Sequence, residues 1–518
     1  MSGEPLLTQN PLACPRVPRA CDDGGMSKQA PRDALGPHSD VRAQTYRGLG
    51  EAAWRWVLDH VEWDDDGPWI PDSVDLAGVP ALRPHFAQGL HSGVSGLVHV
   101  LSEILLARAW TDAETRLVDG VVARLSAEAP AATDVTYFDG LSSSVGALVA
   151  ADGNGARSAG PTGDPDGTGP DLAGVDTALG RVLELLTPDG WPTEAVGPPR
   201  HTPDARVHDA TLGTAGVLLA ALWALRHGAP AGRELANRCV DVLIAEAEPM
   251  ADGLNWSMVA DRHRLGPRRD MPNWSHGLAG IAAALALAGS ALERPDIVEQ
   301  ARRGAEHLVG LRVPGHPGLA LPHLVPPAPE LGLEPLAYGW CHGPTGTSLL
   351  FLALDAAGVR EVAGEHPLRW HRRCLDAIHA SGIPERLRPG FWDNDGRCCG
   401  TAGVGDTLLD AWTSLGDPRD LDLAVRLGEA LVEHAIVEGD RAYWRFVEHR
   451  NDDPLLPPGV GWMQGAAGIA AYLHRLGRVL DSLPDDGIGS DASRPMAVSR
   501  MDNWWALERR RAPGSQRD

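Results

Sequence analysis

The chain has 518 residues and a formal net charge of −23, a balance that argues against nucleic acid or an anionic membrane surface as its main partner. Its seven cysteines are odd in number and do not suit a disulfide framework in a chain of this length, so we expect a reduced, cytoplasmic compartment. No apolar run approaches the roughly 18 residues that a helix needs to span a bilayer.

The first predicted element is a disordered N-terminal segment, residues 1–42, which is rich in proline and polar residues and has no apolar signal-peptide core. A folded domain then spans residues 43–482. Within it, residues 152–171 have the composition of a flexible loop, and the proline-rich residues 313–335 are expected to shape a rim. Residues 483–518 are predicted to be a polar tail, poorly ordered apart from a short helix near NWWALERRR.

A short pattern recurs along the domain: two small residues in a G-x-x-G step, followed by an apolar run of about ten residues. Each copy is rich in alanine and leucine, which predicts a buried helix, and a more charged helical pattern lies between copies. The sequence therefore predicts an all-α fold, an α/α toroid of seven helix pairs with seven inner and seven outer helices. The aligned positions are Gly93, Ser143, Gly213, Gly277, Gly343, Gly400 and Gly465.

Glycine at these positions is expected to start the inner helices, where it removes side-chain bulk and tolerates unusual φ angles. Cysteine and histidine cluster just before three of the aligned positions. His276 precedes one copy, Cys341 and His342 the next, and the pair Cys398 and Cys399 the one after. In a ring of helix pairs these positions converge at one end.

Adjacent cysteines rarely form a disulfide with each other, and Cys398 and Cys399 do not fit the C-x-x-C spacing of structural zinc sites. Together with Cys341 they supply three thiolates, which with an open fourth position make a catalytic zinc site. Helix N-termini also favour the thiolate form. The sequence therefore predicts a zinc ion held by these three cysteines.

Other candidates have simpler interpretations. A free buried cysteine is usually a small apolar side chain, and we assign Cys239 and Cys374 to that class because they lie inside helical patterns. His91, in the first copy, is expected to be a polar cap residue, and Trp340 a core or wall residue.

Four motifs resemble those of the lanthionine synthetase C-like family: GWCHG (339–343), CCG (398–400), SHGLAG (275–280) and GWMQGAAG (461–468). The resemblance implies an α/α toroid and a zinc-dependent cyclase that adds peptide cysteine thiols to dehydroalanine or dehydrobutyrine, forming (methyl)lanthionine thioether rings. It implies one Zn²⁺ per chain and a dehydrated precursor peptide as substrate. A separate dehydratase, or a kinase/lyase, is then a candidate partner, because this chain has no signature of either activity.

The resemblance also implies roles for particular residues. Cys341 and Cys398 match the two cysteine ligands of the family, and Cys399 stands where histidine is usual. His276 matches the histidine proposed as acid/base, and Asp209 matches the family aspartate.

At three positions the sequence leaves the identity of the proton-transfer group undetermined. Asp139 lies at the same offset within the second copy as Asp209 does in the third, and it is the second choice for the aspartate. His342 stands where some members have tyrosine, and it is a further catalytic candidate. Ala337 stands where an arginine often precedes the first cysteine.

Three alternatives to a cyclase stay open. One is a zinc enzyme that adds another thiol, such as glutathione, to dehydrated residues. Another is a non-catalytic, zinc-stabilised scaffold that binds peptides. The third is a sugar-processing α/α barrel, which needs paired carboxylates such as Asp139 and Asp209 and leaves the cysteines unexplained.

Overall fold

The computed structural model describes residues 39–75, 81–153, 172–193, 202, 204–385, 394–447, 454–483 and 497–507. Most of the N-terminal segment predicted to be disordered, and of the loop predicted at 152–171, lies outside these ranges. The first helix, α1 (Ser39–Asp59), begins four residues before the predicted domain start at residue 43.

Seven helices of the described chain form an inner ring, as predicted. Each inner helix contacts the next, and the last contacts the first, so the ring closes. Their alanine- and leucine-rich sequences suit burial on all sides: twelve of the fourteen residues of the fourth inner helix are buried. The inner helices are α2 (Ser95–Leu105), α4 (Leu141–Gly153), α6 (Thr214–Arg226), α8 (Leu278–Ala291), α10 (Pro344–Ala356), α12 (Thr401–Leu415) and α14 (Ala466–Asp481).

Seven further helices pack outside this ring, and α1 covers α14. They are amphipathic: the last of them buries nine of its seventeen residues and presents the remainder to solvent. This arrangement confirms the predicted α/α toroid. Besides α1, the outer helices are α3 (Asp112–Glu128), α5 (Ala173–Glu184), α7 (Ala231–Ala245), α9 (Pro295–Gly310), α11 (Pro367–His379) and α13 (Pro418–His434).

Short antiparallel strand pairs and 3₁₀ turns lie in the connections. The turns are Ala129–Ala131, Asp261–His263 and Pro329–Leu331. The strand pairs are β1 (Glu62–Asp64) with β2 (Gly67–Trp69), β3 (Pro192–Thr193) with β4 (Ala205–Arg206), β5 (Glu248–Met250) with β6 (Gly253–Asn255), β7 (Ile436–Glu438) with β8 (Arg441–Tyr443), and β9 (Arg445–Val447) with β10 (Leu455–Pro458). Among the described residues, no helix is both long and apolar enough to cross a membrane.

The first glycine of the repeated step is required by a close approach of backbone. A Cβ on Gly277 would lie 1.6 Å from the carbonyl oxygen of Met271. Its φ is −172°, and that of Gly343 is −123°, which other residues adopt readily. The expectation of an unusual φ was therefore wrong, whereas the expectation of missing side-chain bulk was right.

The second copy is aligned differently from the prediction. α4 begins at Leu141, and a Cβ on Gly140 would lie 2.4 Å from the carbonyl oxygen of Asp134. Gly140, not Ser143, is thus the first glycine of this copy. Ser143 occupies the second position of the step, where the other copies have glycine, and this substitution misled the alignment.

A residue of the preceding motif loop packs directly against the second glycine of the step. Cβ atoms built on Gly346 and Gly280 would lie 2.6 Å from the Cβ of Trp274 and 2.7 Å from the Cβ of Ala210, respectively. Because no side chain intervenes, each motif loop rests directly on the neighbouring inner helix. The glycine pattern therefore sets the spacing of the whole ring.

The chain beyond α14 differs from the predicted polar tail. Residues 497–507 are largely buried, and they include the short helix α15 (Trp504–Leu507), close to where a helix was predicted. This helix contacts α10 and α12 from inside the ring. We call residues 497–507 the plug segment.

Candidate metal centre

The loops that lead into the inner helices are joined by hydrogen bonds into a closed circle, at the end of the toroid that we call the mouth. In six links, the backbone N–H two residues before the first glycine donates to the carbonyl of the neighbouring loop, with N···O distances of 2.8 to 3.1 Å. In the seventh, the Thr211 hydroxyl donates to the Ser275 carbonyl at 3.1 Å. The ring positions are His91, Phe138, Thr211, Ser275, Cys341, Cys398 and Met463.

Two ring positions, Cys341 and Cys398, carry thiols on adjacent loops, and Cys399 follows directly. The three Sγ atoms lie within 4.8 Å of one another, and those of Cys341 and Cys399 are 3.0 Å apart. It is the one such group of three or more cysteine, histidine or carboxylate side chains in the part of the chain that the structure describes. The structure thus brings together the three predicted ligands.

The chemistry of this donor set fits zinc. Hydrogen bonds that the Cys398 thiol donates to the sulfurs of Cys341 and Cys399, together with burial, raise the pKa of Cys398. Hydrogen bonds from the other two thiols lower the pKa of Cys399, so the cluster readily accommodates one negative charge but not three. Three thiolates this close repel one another, and a dication compensates that charge. Three sulfur ligands with a fourth position open to substrate are typical of catalytic zinc.

Asp209 holds His276 in the loop that neighbours the Cys341 loop. The Nδ1 atom of His276 lies 2.8 Å from Oδ2 of Asp209, whose side chain is fully buried. The other carboxylate oxygen accepts backbone N–H groups from Thr211 at 3.0 Å and from Leu212 at 2.6 Å. Asp209 therefore fixes the tautomer with Nδ1 protonated, and Nε2 is the nitrogen left to exchange a proton.

Asp139 does not share this role. With Gly140 as the first glycine, Asp139 takes the position that His276 occupies in its own copy, so it is not equivalent to Asp209. Burial, followed by the nearby carboxylates of Asp134 and Asp72, raises the pKa of Asp139 to about 7. The offset that made Asp139 the second choice for the family aspartate rested on the misaligned second copy and was wrong; whether Asp139 supports catalysis stays a prediction.

Histidines form a row beside the cysteines. The ring of His342 is 5.3 Å from that of His276 and 4.4 Å from that of His323, measured between centroids. Its Nδ1 atom is buried, and none of the residues that the structure describes forms a hydrogen bond with it. Burial, and then the neighbouring His323 and His276, hold the pKa of His342 well below its usual range. His342 is therefore a neutral imidazole at neutral pH.

Sequence reasoning missed His323 and undervalued His91. His323 lies in the proline-rich connection, 9% exposed, with Nδ1 3.2 Å from the Glu334 carbonyl oxygen. His91 occupies a ring position and bonds Ser92 with Nδ1 at 2.8 Å, so it does not cap α2 as expected. Burial lowers the pKa of both imidazoles, and the Cys399 thiolate opposes this. The position of His91 in the repeat could have indicated that it lies at the mouth, whereas His323 has no position in the repeat.

The fold is an α/α toroid with a three-cysteine cluster that could hold a metal ion, and sequence comparison gives the family. The lanthionine synthetase C-like protein profile matches residues 209–479, just over half of the chain. The chain therefore belongs to the lanthionine synthetase C-like family, which supports a lanthionine cyclase-like role. No curated protein sequence matches it.

Two solved structures align with the chain at low sequence identity. Nisin cyclase aligns with a TM-score of 0.50 and 14% identity, over 76% of this chain and 89% of that one. A cellobiose 2-epimerase from Spirochaeta thermophila DSM 6192 aligns with a TM-score of 0.44 and 12% identity, over 87% and 99% of the two chains. At such identities the likeness concerns the fold alone.

Proposed function

We propose that the protein is a zinc-dependent cyclase that adds peptide cysteine thiols to dehydroalanine or dehydrobutyrine, forming (methyl)lanthionine rings in a ribosomally made peptide. The observation that carries this proposal is the cluster of Cys341, Cys398 and Cys399 beside the Asp209–His276 pair. Membership of the lanthionine synthetase C-like family supports it.

The three cysteines would hold one zinc ion. When bound, zinc keeps a substrate thiol deprotonated and nucleophilic at neutral pH. A free thiol with a pKa of about 8.5 is only about 3% thiolate at pH 7, so this activation matters. Burial of Cys341 and Cys398 keeps the ligands away from competing oxidants and water.

His276 would supply the proton that completes the addition. A sulfur–carbon bond forms at the β-carbon while the alkene π bond breaks, and the α-carbon then takes up one proton. His276 can deliver it from Nε2, since Asp209 holds Nδ1 and stabilises the imidazolium before transfer. His342, which burial keeps neutral, would donate a hydrogen bond to the enolate oxygen that develops during attack.

The same proposal places the reaction in its setting. Residues 43–482 would form the catalytic domain, in the cytoplasm, where thiols stay reduced. The substrate would be a precursor peptide in which serine or threonine has already been dehydrated. A separate dehydratase, or a kinase/lyase, would therefore act on that peptide first.

The test is a direct assay of ring formation. Purified zinc-loaded protein is mixed with a dehydrated peptide that also carries cysteines, and free thiols are counted by alkylation and mass spectrometry. We expect thiols to disappear without a change in peptide mass, because the addition is an isomerisation. Zinc binding without loss of thiols from any such peptide would contradict the cyclase and favour the peptide-binding scaffold; transfer of glutathione, seen as added mass, would favour the enzyme acting on another thiol.

A further inference from the structure

The plug segment, residues 497–507, touches every part of the inner ring. It reaches five inner helices and the loops that lead into the other two. The contacts are Val498 with Glu103 of α2, Met501 with Gly146 of α4, Trp504 with Trp223 of α6, Trp505 with Leu349 of α10 and with Trp274 before α8, and Arg500 with Asp406 of α12 and with Trp462 before α14.

Arg500 is a buried charged residue of the plug segment, and it is hydrogen-bonded to other charged side chains in the interior of the ring. It is 3% exposed, and its guanidinium donates to Asp406 Oδ2 at 2.9 Å and to Asp502 Oδ1 at 3.3 Å. Burying a guanidinium is costly even when it is paired, and an apolar side chain would fill the same space at lower cost. Its presence therefore calls for an explanation other than filling the ring.

Asp406 joins Arg500 to the loop of the metal centre. Arg397 donates to the same Oδ2 atom at 2.7 Å, and Arg475 donates to Oδ1 at 2.6 Å. Although burial acts to raise it, the pKa of Asp406 is held well below its usual range by Arg397, Arg475 and Arg500. The carboxylate is thus charged at neutral pH and ties the plug segment to Arg397.

Arg397 immediately precedes Cys398, and its side chain is enclosed on three sides. Its guanidinium carbon lies 4.1 Å from the centroid of the Trp462 ring, and that of Arg500 lies 5.7 Å from the same ring. A Cβ on Gly468 would lie 2.8 Å from Arg397 Cγ, so the glycine leaves room for the arginine stem. The two arginines therefore share one carboxylate and one aromatic ring.

We propose that Arg500 is a positioning residue for the metal centre: by sharing Asp406 and Trp462 with Arg397, it fixes the loop that presents Cys398 and Cys399. This inference rests on the proposed zinc site. Arg500 is not among the three candidate ligands, and it acts through Arg397. Side chains that hold metal ligands in place typically change metal affinity by about 10- to 100-fold when removed, and Arg500 acts on that layer through Arg397.

The experiment compares Arg500→Leu with Met501→Ala in the full-length protein. Both variants remove plug-segment contacts, but Met501 packs against α4, away from Arg397. Zinc affinity is measured by competition with a chelator, and the Co²⁺-substituted protein reports thiolate geometry through its sulfur-to-cobalt absorption. We expect Arg500→Leu to bind zinc about 10- to 100-fold more weakly, with an altered Co²⁺ spectrum. Met501→Ala should keep wild-type affinity while its melting temperature falls.

The outcomes separate this inference from the zinc site itself. If the wild type binds no zinc, the proposed function fails. If the wild type binds zinc and Arg500→Leu binds it equally well, or if both variants weaken it equally, Arg500 has no positioning role. Should Arg500→Leu not fold, Arg500→Lys carries the test, since it keeps the charge but not the forked hydrogen bonds. Wild-type affinity and spectrum in Arg500→Lys would then overturn the inference, whereas weaker binding supports it.

Discussion

Asp139 at the mouth of the toroid and Asp406 in the interior behind it have opposite electrostatic surroundings. Burial and two other carboxylates raise the pKa of Asp139 to about 7. Three arginines hold the pKa of Asp406 well below its usual range in spite of burial. The mouth thus holds a carboxyl group that titrates near neutrality, which suits proton transfer, whereas the interior surrounds the carboxylate of Asp406 with compensating arginines.

The same contrast extends to the residues around them. At the mouth, a buried nitrogen of the His342 ring has no hydrogen-bond partner within the described part of the chain, and the thiols of Cys341 and Cys399 contact each other. In the interior, Arg475 is fully buried between Asp406 and Asp410, at 2.6 and 2.5 Å. We therefore expect substitutions at the mouth to affect chemistry with little loss of stability, and substitutions in the interior to do the reverse.

The largest effect is expected from Cys398→Ala. Removing one of three thiolates should abolish most zinc binding and all measurable ring formation, because two sulfur ligands do not make a closed set. Elemental analysis of the purified variant measures the metal. Cys374→Ala is the matched control: this cysteine is also fully buried, but in α11, and its removal should leave zinc in place. Full zinc retention in Cys398→Ala would remove the basis of the metal site.

His276→Ala should separate metal binding from proton transfer. The variant keeps all three thiols, so we expect one zinc per chain and an unchanged melting temperature. The rate of ring formation should fall by about 10²- to 10⁴-fold, the usual loss when a positioned acid/base is removed. Rates are measured by timed thiol alkylation and mass spectrometry. A wild-type rate would assign His276 to a structural role and make His342 the proton donor.

Arg475→Leu should show the opposite pattern in the interior. It leaves Asp406 and Asp410 buried with less compensation, and breaking a buried ion pair from one side typically costs about 3–5 kcal/mol of unfolding free energy. Arg419→Leu is the control, because this arginine is 56% exposed and such surface pairs contribute about 0–1 kcal/mol. Urea unfolding measures both. Equal losses in the two variants would mean that the interior network does not carry the stability assigned to it.

The smallest effect concerns pH and Asp139→Asn. Because the folded protein raises this pKa from 3.8 to about 7, the wild type binds the proton more tightly when folded and loses stability as pH rises through that interval. The side chain is partly exposed, so we expect the variant to gain roughly 1–2 kcal/mol at pH 8. The gain should vanish below pH 4. Melting curves across this range measure it, and a gain that is independent of pH would point to packing instead.

Asp406→Asn sharpens the same comparison. Its pKa is lowered, so the carboxylate contributes stability that is present at pH 8 and disappears as the group is protonated at low pH. The variant should therefore be less stable than the wild type at pH 8, opposite in sign to Asp139→Asn.

The sequence was sufficient to predict the parts of the molecule that repeat. Seven glycine steps with apolar helices indicated the toroid, and equivalent positions before those steps indicated Cys341, Cys398 and Cys399 as one cluster. The register of the second copy failed because Ser143 replaces a glycine. There the packing of Gly140 against backbone, which no letter pattern records, decides the alignment.

The interior could not be predicted because its partners are distant in the chain. Arg475 pairs with Asp410 across 65 residues, and Arg500 with Asp406 across 94. In sequence these residues look like ordinary solvent-facing charges on helices or in a tail. Only the closed ring shows that they face inward. There, aspartates of α12, which belongs to another repeat, compensate the charges of Arg475 and Arg500. His323 escaped notice because it has no position in the repeat.

The circle of hydrogen bonds at the mouth makes chemistry and architecture separable. In six of its seven links the donor and the acceptor are backbone groups, so these hydrogen bonds do not depend on which side chain stands at the position. Histidine, phenylalanine, serine, cysteine and methionine all occupy them in this one chain, and exchange between such residues leaves the frame intact. Thr211 is the exception, because its hydroxyl closes the circle. Six positions at the mouth can therefore exchange side chains without loss of the hydrogen-bonded circle, so a different reaction can arise there on the same fold.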